Sequence, residues 1–64
     1  MKTENKLTYA DVETILLSLM GREIDEREQA EKERKDGNEE FAEYHDEQAN
    51  ECSRLIKKIR AFVF

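Results

Sequence analysis

From Asn38 onward a single apolar rhythm runs through the chain: Phe41, His45, Gln48, Cys52, Leu55, Ile59 and Phe62, at steps that alternate four and three. Such alternation keeps one seam of a helix turned toward one neighbour over many turns, so it predicts a long α-helix packed lengthwise on another helix. The charges of the same stretch follow the field of a helix. Six acids and no Lys or Arg lie between Glu39 and Glu51, and four bases and no acid lie between Arg54 and Arg60. Carboxylates near the positive N-terminal end and cations near the negative C-terminal end both stabilise a helix.

A second helix is written upstream. Thr8 is a favourable N-cap, Asp11 sits in the first turn, and Leu7 can staple onto Val12. No proline interrupts the chain beyond them. The one strong punctuation is Asp36-Gly37-Asn38, where Gly37 can take the left-handed conformation that ends a helix and Asn38 can cap the next. The expectation is therefore all-α: a flexible N-terminal tail over 1–7, then a hairpin over 8–64 with helices at 9–35 and 39–62 and a turn at 36–38. The helices run antiparallel, and residues whose numbers sum to about 74 face each other. Gly21 falls inside the first helix, opposite Cys52 and Ser53, and reads as a close approach or a tolerated defect.

The chain has 64 residues, with 42% charged and a net charge of −5. A domain this small buries only about 60% of the surface its unfolded chain exposes and usually needs a staple, a metal or a partner subunit. Cys52 is the single cysteine, so no disulfide can form within the chain; with no signal sequence recognised, a reducing, cytoplasmic location is expected. The longest apolar run is Ile15-Leu16-Leu17, too short for a membrane span.

The apolar surface exceeds what a hairpin can cover. Val12, Ile15, Leu16, Leu17, Leu19, Met20 and Ile24 spread over an arc of about 200° around the first helix, whereas one neighbour covers a stripe a little over 100° wide. The second helix adds Leu55, Ile56, Ile59, Phe62 and Val63, with Phe64 at the end and Cys52 on the seam. Facing pairs such as Leu19 with Leu55 and Val12 with Phe62 gather this material at the open end of the hairpin. Two hairpins that dimerise there into a four-helix bundle would cover the excess. The turn half is polar: Ala30 is its one apolar residue on the first helix, Phe41, Tyr44 and His45 provide a cap, and Glu23–Arg27, Glu28–Lys32 and Glu31–Lys35 form pairs four apart.

Few residues carry chemistry. Glu39, Glu40, Glu43, Asp46, Glu47 and Glu51 form an acidic outer face, a candidate surface for a protein partner or an imitation of nucleic-acid phosphates. Arg54, Lys57, Lys58 and Arg60 invite an anionic membrane or phosphate, but the unbroken seam beneath them favours solvated bases over a bundle core. Glu40 and Glu43 stand one turn apart, as in the helical magnesium-dependent nucleotide pyrophosphohydrolases; the likeness stops there, because no second acidic motif accompanies them on an apolar face. The Glu-x-x-His of di-metal bundles is also missing, since Ala42 stands three before His45. His45 is expected to pack near Glu26 or Glu33, Gln48 to fix register, and Cys52 to act as a small hydrophobe.

The reading is a non-enzymatic protein–protein interaction module, a small self-associating regulator or adaptor with no cofactor or metal. Its partners are a second copy and an unidentified protein, with no direct nucleic-acid contact. The alternative is an acidic nucleic-acid mimic, which would suit a phage-encoded inhibitor, and a third is a metal-dependent nucleotide hydrolase completed by oligomerisation. Two antiparallel copies of the second helix would set acidic half beside basic half, so the charge order can also select how a dimer pairs.

Overall fold

Thr8 and Asp11 start the first helix by a reciprocal exchange. The Thr8 hydroxyl accepts from the Asp11 N–H at 3.1 Å, and the Asp11 carboxylate accepts from the Thr8 N–H at 2.9 Å. This is a capping box with Asp in place of the usual Glu, and it satisfies two backbone donors that the helix itself cannot. The computed structural model describes residues 6–63, which form helix α1, Tyr9–Lys35, and helix α2, Glu39–Val63, with no strand among them. Of the tail expected over 1–7, residues 1–5 lie outside the described residues, as does Phe64.

The turn is a Schellman closure. Gly37 adopts φ 83°, its N–H donates to the Arg34 carbonyl at 3.1 Å, and the Asn38 N–H donates to the Glu33 carbonyl at 2.8 Å. Asn38 opens α2 through its carbonyl, which accepts from the Ala42 N–H at 3.0 Å. Its side-chain amide turns back to donate to Glu33 at 2.9 Å, so it ties the turn to α1 instead of capping α2.

The two helices form an antiparallel hairpin 51 Å long, 21 Å wide and 14 Å thick. The seam between them keeps His45, Cys52 and Ile59 from the one the sequence suggests and leaves Gln48 and Leu55 half-buried at its side. It is centred on Ala42, Ala49 and Ile56 instead of Phe41 and Phe62. On α2 the seam runs through Ala42, His45, Ala49, Cys52, Ile56 and Ile59, with Asp46, Gln48, Ser53 and Leu55 half-buried beside it; on α1 the buried and half-buried positions are Val12, Leu16, Leu19, Glu23, Glu26, Ala30 and Glu33. Both series alternate three and four. Phe41 is 62% exposed and Phe62 86% exposed, so neither belongs to the seam, and Tyr44 is also more than half exposed. The physical reason is helix spacing. Ala30, Ala42 and Ala49 have at most 1% of their surface accessible. Such small side chains suit a close approach of the backbones that a phenylalanine on the seam would hold apart.

The core proper is short. Val12, Leu16 and Ile56 are buried, with Leu19 and Ile59 packed against them at the open half. Each of the three contributes about 2 kcal/mol, a modest total for a chain of this length. Polar staples replace apolar packing toward the turn, and Arg34 is the largest: its guanidinium donates to Glu39 at 3.1 and 3.2 Å and to Asp46 at 2.7 Å. Asp46 first and Glu39 second raise the Arg34 pKa above its ordinary value. Glu23–Arg27 and Glu31–Lys35 close at 3.0 and 3.3 Å, whereas Glu28 and Lys32 do not pair. A Cβ added at Gly21 would meet nothing within 4 Å, so Gly21 marks no close approach of the helices and is a defect α1 tolerates.

Candidate functional site

Two long edges flank the seam, and cross-helix hydrogen bonds identify them. On one edge Arg22 donates to Gln48 at 3.0 Å. On the other, Arg27 donates to Asn50 at 3.4 Å, Arg34 to Asp46 at 2.7 Å, and Arg60 approaches the Met20 sulfur at 4.0 Å. Residues seven apart share a helix face. Phe41, Leu55 and Phe62 therefore lie on the Gln48 edge, and Ile15 joins them from α1. Met20, Arg27 and Arg34 line the opposite edge, with Leu17 and Ile24 beside Met20.

Both edges carry exposed apolar groups. Leu17 and Ile24 are exposed at 61% and 59%, and with Met20 they form a stripe on α1 beside Arg60. Tyr44 is 54% exposed and continues the row begun by Phe41 on α2. At the open end Leu7, Val12, Ile15, Ile59, Phe62 and Val63 line a cleft of about 600 Å³ whose walls are almost wholly apolar. Of the expected interface residues, Val12, Leu16, Cys52 and Ile56 lie inside the hairpin, and Leu19, Leu55 and Ile59 are half-buried. Ile15, Leu17, Met20, Ile24, Phe62 and Val63 face outward.

The six expected acidic-face residues separate into two groups. Glu39 and Asp46 are held by Arg34, and Glu51 pairs with Arg54 at 2.8 Å, which lowers the Glu51 pKa and raises that of Arg54. Glu40, Glu43 and Glu47 are exposed and make no ion pair among the described residues. Lys57 and Lys58 are likewise unpaired there.

Within the seam, His45 Nδ1 lies 2.6 Å from Glu26 Oε1, the two side chains being 22% and 16% exposed. Arg22 Nε also reaches Glu26, at 3.4 Å. The His45 hydrogen bond chiefly lowers the Glu26 pKa; partial burial opposes it and Arg22 assists. Cys52 is a buried free thiol. Among the described residues, no group of three or more His, Cys, Asp or Glu side chains is placed to hold a metal ion, and no helix is long and apolar enough to cross a membrane.

Ala42, Ala49 and Arg34 are the positions a reading for large apolar residues overlooks. The signal for the alanines is present: Ala42, Ala49 and Ile56 stand seven apart, a second heptad one residue out of phase with Phe41, Gln48 and Leu55. No protein family, curated protein or solved structure matches the chain.

Proposed function

We propose that the protein is a non-enzymatic interaction module, a helical hairpin that self-associates into a homodimeric four-helix bundle and serves as a small cytoplasmic regulator or adaptor of another protein. The observation that carries this reading is the apolar surface that two helices leave in water. Leu17, Ile24, Phe41, Tyr44 and Phe62 are each more than half exposed, while only three large aliphatic side chains are buried among the described residues. Contiguous apolar surface on a highly charged small protein marks places of contact. Its distribution over two opposite edges supports two contacts, one with a second copy and one with a different protein.

Affinity capture of the tagged protein from its host, at low and high salt, tests the adaptor reading. The expected partner survives high salt and is lost with Leu17→Asp, while Glu40→Lys leaves it bound. A second reading, mimicry of a nucleic acid, draws support from the unpaired row Glu40, Glu43 and Glu47. It requires the reverse outcome: a partner released steeply by salt and lost with Glu40→Lys.

A further inference from the structure

We propose that the second copy docks along the Phe41–Phe62 flank of α2, antiparallel, with the twofold axis beside Glu51. The proposal rests on the self-association reading and specifies the surface, direction and register that serve it.

Three patterns converge on that register. The first is apolar. In an antiparallel pair of α2 helices whose facing residue numbers sum to about 103, Phe41 meets Phe62, Tyr44 meets Ile59, and Gln48 meets Leu55 of the other copy. Phe41 and Phe62, both exposed, each gain an aromatic neighbour. The second is shape. Phe62 and Ile59 help to line the open-end cleft of about 600 Å³, so Phe41 of one copy arrives as a side chain at the mouth of a cavity in the other.

The third is charge. Two residues from the directly facing position in that register, within reach of long side chains, Glu43 meets Lys58 and Glu47 meets Arg54, and the symmetry makes each pair twice. Glu43, Glu47 and Lys58 have no ion pair among the described residues, so the Glu43–Lys58 contact competes with nothing already formed there, whereas Glu47 shares Arg54 with Glu51. Glu51 would face its own copy across the axis, and Arg54 already holds it at 2.8 Å. A parallel arrangement of the same helices sets Glu43 against Glu43 and Lys58 against Lys58, which like-charge repulsion opposes. A standard interface buries about 800 Å² per partner, and a face 51 Å long and 21 Å wide is large enough to supply it. Leu17, Met20 and Ile24, on the opposite edge, stay open for a different protein.

Spin-label distances in the full chain test this directly, in a Cys52→Ala background with labels at Glu51→Cys or Glu40→Cys, alongside sedimentation of the same samples. A dimer with Glu51 labels within about 15 Å and Glu40 labels roughly 35 Å apart is the expected result. A dimer with any other pair of distances overturns the register and leaves self-association standing; a monomer overturns both. Charge exchange supplies an independent readout. Glu43→Lys with Glu47→Lys, or Arg54→Glu with Lys58→Glu, should each weaken the dimer about tenfold at low salt. All four substitutions in one chain preserve the net charge and should recover most of that loss. Failure of the fourfold variant to recover, with helicity intact, would overturn the pairing.

Discussion

His45 Nδ1 and Glu26 Oε1 stand 2.6 Å apart across the seam, in the half of the hairpin where no large apolar side chain is buried. The hairpin is thus held by two unlike mechanisms along its length: aliphatic packing of Val12, Leu16 and Ile56 at the open half, and charged or polar contacts over buried alanines near the turn. The two halves should respond to different conditions.

Acid should loosen the turn half. The folded pKa of Glu26 lies below its ordinary 4.5, so its contribution is complete above that value and is lost as pH falls through the lower folded value. Urea unfolding at about pH 6 and about pH 3 should show the parent losing more stability than Glu26→Gln over that interval. Equal losses would mean that the contact with His45 contributes nothing to folding.

The phase of the seam can be tested by volume. Ala49 has no accessible surface, so Ala49→Leu should force the helices apart and cost about 1–3 kcal/mol. Phe41→Ala, measured at concentrations where the chain is monomeric, should change stability by less than about 0.5 kcal/mol. The opposite ranking would restore Phe41 to the seam.

The two glycines should respond with opposite signs. Gly37 holds φ 83°, where a side chain is strained, so Gly37→Ala should cost about 1–2 kcal/mol. Gly21 lies inside α1 with open space around the Cβ position, so Gly21→Ala should stabilise by about 0.5–1 kcal/mol. Thermal melting followed by circular dichroism reads both.

The architecture was legible because its determinants are local. Thr8 with Asp11, Gly37 with φ 83°, and the absence of proline are each decided within a few residues, and together they yield two helices and one turn. The seam was less legible because two heptads overlap on α2. Phe41, Gln48, Leu55 and Phe62 belong to the outer one, and Ala42, Ala49 and Ile56 to the inner. A search for bulky apolar residues merges them, since alanine declares itself only through the distance at which helices pack. The His45–Glu26 contact was half visible, because the antiparallel register brings Glu26 and Glu33 near His45 without choosing between them. Arg34 was not anticipated as a clamp: a long flexible side chain among many charges selects Asp46 and Glu39 only once the turn geometry is fixed.

A hairpin with this much apolar surface in water should not remain alone. Sedimentation equilibrium from about 1 to about 100 µM decides whether it does. The weight-average mass should rise toward twice the chain mass by tens of micromolar, and Phe62→Asp should abolish the rise. A mass equal to that of one chain throughout would contradict self-association.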